Sequence, residues 1–244
     1  MQIEVIFSPI LYPLRSLRDN HVTVAVDILR ATTSICAAFQ AGVEEVVPLD
    51  SLDMLPSYHQ QGYTIAAERG GSKVPLAEVG NSPTEYIAMD LRGRRLAYST
   101  TNGTVAILTA QGEGEVLVGC FSNLTVLTDY LTQLQKDVVV LCSGWKNNPS
   151  LEDSLFAGAL AEKLGKDSQL MMVNDGAMMC RSLWQQAQGD PFTYCKEATH
   201  VHRLQRLGAE KDIAYAFRID TCRLVPHLDS DGVLRLVNNE SYDI

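Results

Sequence analysis

Short β-branched runs alternate with longer segments of helical period along this chain, the pattern of an α/β architecture. Met1-Gln2-Ile3-Glu4-Val5-Ile6-Phe7 reads as a first strand. Val22 to Ile28 reads as a buried strand, and the helix after it carries Ile35, Ala38 and Phe39 on its apolar face before Gly42 stops it. Further strands are expected over Val43 to Leu49, Tyr63 to Ala67, Arg95 to Ser99, Glu115 to Cys120 and Val138 to Cys142. Helices are expected over Leu52 to Gln61, Val105 to Ala110 and Leu124 to Leu134. After Pro149, the apolar positions Leu151, Leu155, Phe156, Ala159, Leu160 and Leu164 fall on one helix face, which packs on a sheet. Beyond Leu170 the chain turns mostly helical, then closes on a strand over Val233 to Val237. With no Pro/Gly/Ser linker and no repeat, residues 1–244 read as one α/β unit with room for two lobes. Gly70-Gly71 to Pro75 plus Gly80-Asn81-Ser82-Pro83 form the one long irregular stretch. Such stretches in compact domains are disproportionately functional.

Composition narrows the function classes. Lys+Arg number 20 against 29 Asp+Glu, a formal net charge of −9, and only Leu91-Arg92-Gly93-Arg94-Arg95 is locally basic. A protein that coats phosphate backbones carries the opposite balance, so nucleic acid is a poor partner. No apolar run approaches the ~20 residues that span a bilayer, and the N-terminus lacks the marks of a signal peptide. A cytoplasmic location is the expectation. Cys36, Cys120, Cys142, Cys180, Cys195 and Cys222 form no Cys-x-x-Cys pair, which argues against structural zinc or a disulfide framework.

Three segments run from a hydrophobic strand into small polar residues that open a helix: Asp27 to Thr33, Ser99 to Thr104, and Cys142 to Lys146. Ligands of open α/β sheets bind beyond the carboxyl ends of strands, where helix N-termini present free N–H groups. Ordinary helix capping by Thr and Asn competes with that reading for each segment. Asp27 at the end of an apolar strand needs a partner or a metal, and Arg30 is a candidate partner. Glu68-Arg69-Gly70-Gly71 repeats the acid-plus-Arg theme. Glu152 and Asp153 open the amphipathic helix, where a capping box from Ser150 is the competing reading. Asp27, Glu68 and one of Glu152 or Asp153 could together hold a hard cation such as Mg²⁺. Of His200 and His202, at most one faces a site if the segment is helical, as Leu204 and Leu207 suggest; a solvated or capping His is the alternative. Familiar phosphoryl-transfer scaffolds are disfavoured. Leu29 stands where a haloacid-dehalogenase-type phosphatase needs its second Asp, and Asn148 where a cysteine phosphatase loop starting at Cys142 needs Arg.

Taken in order, Asp27-Ile28-Leu29-Arg30-Ala31-Thr32-Thr33, Glu68-Arg69-Gly70-Gly71, Gly80-Asn81-Ser82-Pro83, Thr100-Thr101-Asn102-Gly103-Thr104, Cys142-Ser143-Gly144-Trp145, Glu152-Asp153 with Ala157-Gly158, and His200 ahead of Leu204 resemble the 2-phosphosulfolactate phosphatase family. Thr199 stands where that family has Ser before the His, and Val201-His202-Arg203 lacks the family's Gly. The resemblance implies a layered α/β/α arrangement with a largely buried mixed sheet, in a fold peculiar to the family. It implies a Mg²⁺-dependent phosphatase that converts 2-phospho-3-sulfolactate, or a related 2-phospho-hydroxy acid, to 3-sulfolactate and phosphate. In methanogens that step belongs to coenzyme M biosynthesis. Under this reading Asp27, Glu68 and Glu152 or Asp153 hold Mg²⁺, and His200 protonates the leaving alkoxide. Arg30 and Arg69 clamp phosphate or sulfonate, while Thr100, Thr101, Asn102 and the Gly103 amide cradle the anion, with Thr32, Asn81, Ser82 and Gly144 completing the substrate site. Cys142 as a covalent nucleophile is a variant. The partners expected are a small anionic phosphate ester and, allowed but not required, a second copy of the chain. A non-catalytic binder of an anionic metabolite and a Mg²⁺-dependent lyase or isomerase of a phospho-acid are the rival functions.

Overall fold

The β-branched runs pair into one eleven-stranded mixed sheet. The computed structural model describes residues 1–167 and 170–237. In chain order the elements are β1 (Gln2–Ile6), β2 (His21–Val26), α1 (Ala31–Gln40), β3 (Glu45–Leu49), α2 (Leu55–Gln60), β4 (Thr64–Arg69), β5 (Ser72–Lys73), α3 (Pro83–Ile87), β6 (Arg95–Ser99) and α4 (Gly103–Thr109). They continue with β7 (Glu115–Gly119), α5 (Leu124–Leu134), β8 (Asp137–Cys142), α6 (Leu151–Asp167), β9 (Met171–Met172), α7 (Asp175–Ala187), α8 (Pro191–Cys195), α9 (Thr199–Gln205), α10 (Glu210–Ala216), β10 (Pro226–Leu228) and β11 (Leu234–Leu236).

Every residue of β2 is buried, and so is all of β8 after its first residue. A strand buried on both faces requires layers above and below the sheet, which is why these strands read as continuous apolar runs instead of alternating ones. The strand order is β5-β4-β6-β3-β11-β10-β7-β2-β8-β1-β9. Two parallel blocks, β4-β6-β3 and β7-β2-β8-β1-β9, are joined by the antiparallel hairpin β10-β11, which pairs with β7 on one side and β3 on the other. The larger core includes an aromatic knot in which Phe121 meets Phe156 edge-on at 5.5 Å and lies 5.9 Å from Trp184. A smaller cluster around Val47, Leu55, Ile65 and Ala97 covers the other block.

Strand register decides where chemistry can sit. Val26 of β2 lies beside Cys142 of β8, and Ala67 of β4 beside Ser99 of β6. The residues that follow, Asp27, Ser143, Glu68 and Thr100, therefore emerge along one edge of the sheet. Gly42 closes α1 with a φ of +97°, a left-handed conformation open to Gly.

Several sequence expectations need correction. The helix expected over Leu52 to Gln61 splits into a 3₁₀ turn, Leu52–Met54, and α2, because Pro56 fits only at a helix start. The stretch read as irregular contains β5 and α3, the latter capped by Ser82, whose hydroxyl accepts from the Glu85 N–H. Cys142 to Lys146 does not open a helix; a turn bridged between Trp145 and Asn148 intervenes before α6.

α6, which delivers Glu152 and Asp153, packs closely on α7 because Gly158 has no side chain. A Cβ there would lie 2.0 Å from the Cys180 carbonyl oxygen, a backbone atom that cannot swing away. Gly158→Ala is expected to push the two helices apart and cost about 2 kcal/mol or more by overpacking, read as a lower urea midpoint with an unchanged slope.

Candidate functional site

A cleft of about 280 Å³ opens where the two parallel blocks present their carboxyl-terminal strand ends. Asp27, Arg30, Glu68, Asn81, Thr101, Asn102, Trp145, His200 and Arg203 line it, with Leu29 and Leu204 as apolar wall. A second cavity of about 850 Å³, lined by Ser150, Glu152 and Glu197 among others, shares Trp145 and His200 with it.

The Thr32 hydroxyl accepts from the Asp27 N–H at 3.0 Å and donates to the Asp27 carbonyl at 2.9 Å, so it shapes the turn after β2 and does not face a ligand. Asp27 itself is 6% exposed. Burial pushes its carboxyl up to about 6, against the pull of the His200 charge and the Ala31 amide, with Glu68 and Glu152 adding to the rise. The first residue of α4, Gly103, lets that helix begin against the acid, since a Cβ would fall 2.3 Å from the Ala31 Cβ and 2.8 Å from Asp27 Oδ2.

Glu68 accepts from the Thr101 amide at 2.6 Å and the Gly71 amide at 2.5 Å. The expected cradle at Thr100 to Gly103 is thus altered. Its Thr101 amide solvates a carboxylate, and the Thr100 hydroxyl accepts from the Thr104 N–H as a local cap, leaving the Thr101 and Asn102 side chains on the cleft. Asn81 is held by the Tyr98 hydroxyl at 2.5 Å.

Glu152 and Asp153 do not point into the cleft, and their carboxylates reach other elements. Asp153 accepts from the amides of Ile28 at 2.9 Å and Gly144 at 3.2 Å, which ties α6 to the turns after β2 and β8. Burial, with the charges of Glu152 and Asp27, pushes it up to about 8. Glu152 Oε1 meets His200 Nδ1 at 2.8 Å, and its Oε2 is buried with no partner among the described residues. Burial disfavours the His200 imidazolium, but the hydrogen bond and charge of Glu152, with the charges of Asp27 and Asp153, outweigh it and raise the pKa. With Nδ1 taken by Glu152, Nε2 remains for chemistry. His202 on the same helix is exposed, as helical spacing requires.

Arg30 does not pair with Asp27. It donates to Asp212 at 2.7 Å and to the Gly71 carbonyl at 2.8 Å, while Ser82 and Thr84 hydroxyls hold the other Asp212 oxygen at 2.7 and 2.6 Å. Ser82 therefore supports Arg30 from behind. Arg69, expected as a second clamp, turns away to the Glu68 carbonyl and the Ser99 hydroxyl, at 2.7 and 2.9 Å. Cys142 is buried off the cleft, and burial together with Asp153 raises its thiol well above the ordinary value, the wrong direction for a nucleophile. All six cysteines are free and buried.

Sequence reasoning missed Asp212 and Arg203. Arg203 was detectable, because it lies three residues after His200 and so shares its helix face. Asp212 carried no such signal.

The profile of the 2-phosphosulpholactate phosphatase family matches residues 6–231. A protein of Synechocystis sp., named probable 2-phosphosulfolactate phosphatase, is 37% identical over 240 residues, covering 96% of this chain and 99% of its own. Proteins of the same name from Microcystis aeruginosa and Caldanaerobacter subterraneus are 35% and 30% identical, over 96% and 91% of this chain and 99% and 92% of theirs.

The buried acids make stability pH-dependent. A carboxyl whose pKa rises on folding, as Asp153 does from 3.8 to about 8, keeps its proton longer in the folded state, so stability is lost as pH climbs between those values. In the presence of chelator, the melting temperature of the unmodified protein relative to Asp153→Asn is expected to fall from about pH 4 to about pH 8 and to level off above that. Differential scanning fluorimetry of both proteins across that range checks it.

Proposed function

The chain belongs to the 2-phosphosulpholactate phosphatase family, and from that premise we propose that it hydrolyses 2-phospho-3-sulfolactate, or a closely related 2-phospho-hydroxy acid, to the hydroxy acid and inorganic phosphate. The observation that supports this most directly is the composition of the cleft, which is lined together by two arginines, Arg30 and Arg203, two acids, Asp27 and Glu68, and the His200 imidazole. Cations bind the ester's negative charge, and acids and imidazole manage water and protons.

Among the described residues no group of three Asp, Glu, His or Cys side chains is arranged as a metal cluster. Mg²⁺ does not require one, since it is usually bound by one or two carboxylates, with water and substrate phosphate filling its shell. Asp27 and Glu68 face the same cleft and retain acceptor capacity beyond the amides they already engage, so they fit that role. When bound, the ion would polarise the phosphoryl oxygens as a Lewis acid. Glu152 and Asp153 serve instead as supports: Glu152 fixes the His200 ring, and Asp153 fixes the turns that carry Asp27 and Trp145.

In this reading Arg30, immobilised by Asp212, takes phosphoryl oxygens bidentately, as a planar guanidinium can. Water's oxygen bonds to phosphorus as the ester P–O bond breaks, and its protons stay with the phosphate until one passes to His200 Nε2 and restores the imidazolium. His200 Nε2 gives its proton to the departing alkoxide oxygen, and Glu152 balances the imidazolium that precedes this transfer.

The direct experiment is phosphate release from 2-phospho-3-sulfolactate, 2-phospholactate and phosphoglycolate, first with Mg²⁺ and then with chelator. Release that favours the sulfonated ester and stops with chelator is expected; release from none of them, despite a ligand-induced thermal shift, would move the chain to the binders. Asp27→Asn should lose at least about 100-fold in kcat, the scale of removing one group that acts on transition-state charge, with its circular dichroism intact. Cys142→Ala should keep its turnover.

A further inference from the structure

Arg203 differs from the other cleft cation in what holds it. Arg30 is fixed by a carboxylate and a carbonyl, with its pair to Asp212 buried on both sides. No carboxylate pairs with Arg203 and no hydrogen bond engages its guanidinium among the described residues; it is positioned by shape alone. Its guanidinium carbon lies 4.2 Å from the centre of the Trp145 ring. The Gly70-Gly71 turn also adjoins it, and a Cβ on Gly71 would lie 2.6 Å from Leu207 Cδ1, 3.3 Å from Arg203 Nη2 and 3.6 Å from Nη1. Both glycines have positive φ, +63° and +86°, so the turn conformation and the missing side chains serve the same end: they seat the guanidinium against backbone. Stacking leaves the N–H edge of an Arg uncommitted, and Arg203 is one of the residues that line the cleft.

Resting on the phosphatase reading above, we propose that Arg203 is the seat of the substrate's distal sulfonate, and so the residue that selects the sulfonated ester over its unsulfonated analogue. His200 and Arg203 are three apart on α9, neighbours about 5–6 Å apart at Cβ on one helix face. In the substrate, the leaving oxygen and the sulfonate stand on adjacent carbons. A proton donor for the first and a forked cation for the second are thus presented by a single helix at matching spacing. The division of labour follows: Arg30, rigidly tied, meets the group that reacts, while Arg203 meets the group that does not. The Trp145 ring lies against both residues of α9, with the His200 ring 5.3 Å away and nearly parallel, so it fixes the two with respect to each other.

The test compares Arg203→Met and Arg203→Lys with the unmodified protein on 2-phospho-3-sulfolactate and on 2-phospholactate, which keeps phosphate and carboxylate but lacks the sulfonate. For Arg203→Met, kcat/KM on the sulfonated ester should fall about 10- to 100-fold, the worth of hydrogen bonds to a charged group, chiefly through KM. The ratio of kcat/KM on the sulfonated ester to that on phospholactate should fall by about 10-fold or more. Arg203→Lys should fall between, because it keeps charge and loses the fork and the stack. Equal losses on both esters would overturn the proposal, placing Arg203 on phosphate or carboxylate, and so would no loss on either. A binding readout separates this from the reaction itself: 3-sulfolactate should raise the melting temperature of the unmodified protein and not that of Arg203→Met, whereas inorganic phosphate should raise both. Absence of any shift by sulfolactate, or an equal shift in both proteins, would sink the seat even if phosphate release is observed. Failure to release phosphate with the sulfolactate shift intact would sink the phosphatase reading and leave the seat standing.

Discussion

Burying several carboxylates in one neighbourhood is the constraint around which the site end of this molecule is organised. Asp27, Glu68, Glu152 and Asp153 are each at most 6% exposed. Removing such groups from water is costly unless each finds donors. The chain meets that requirement mainly with backbone amides, placed by the turns that follow the strands: Ile28 and Gly144 for Asp153, Thr101 and Gly71 for Glu68. Helix starts and turns that invite an anionic ligand are therefore occupied in part by the protein's own anions. What remains on the cleft is the two guanidinium groups, the Thr101 and Asn102 side chains, and the acceptor capacity that Asp27 and Glu68 keep.

That arrangement explains what could be read from residues alone. The parallel blocks are visible because strands buried on both faces are continuous apolar runs, and α5 follows its amphipathic pattern from Leu124 to Leu134. The segments that build the cleft were visible too, since Asp27, Glu68, Thr101, Asn102 and His200 stand at strand ends or on a short helix with polar residues in unusual density. Individual roles were less legible. Arg30 sits beside Asp27 in sequence, yet its acid is Asp212, 182 positions away, and no periodicity carries that distance. Arg69 looks equivalent to Arg30 by its motif, but its side chain is tied to the Glu68 carbonyl beside it and to the Ser99 hydroxyl of the neighbouring β6. Ser82 is a cap and an orienter of Asp212 at once, two demands that a sequence pattern cannot separate.

Two modes of holding an arginine coexist within one cleft, and they suit different tasks. A guanidinium fixed by a buried acid has little freedom and a defined direction, which favours in-line chemistry at phosphorus. A stacked one keeps its donors and can rotate within the plane of the ring, which favours recognition of a group whose orientation is unimportant to the reaction. The tryptophan that supports the second also abuts the imidazole, so in the proposed roles recognition and proton transfer would share a wall.

The hairpin of β10 and β11 is the last pair of strands in chain order among the described residues, yet it lies in the middle of the sheet. Until it docks, β7 and β3 are open edges, the kind of surface that recruits foreign strands. The hairpin must therefore dock before the sheet can run unbroken between the two blocks that flank the cleft. Any delay in that docking leaves two half-sheets with adhesive rims, so the yield of folded protein should depend on how quickly the keystone arrives.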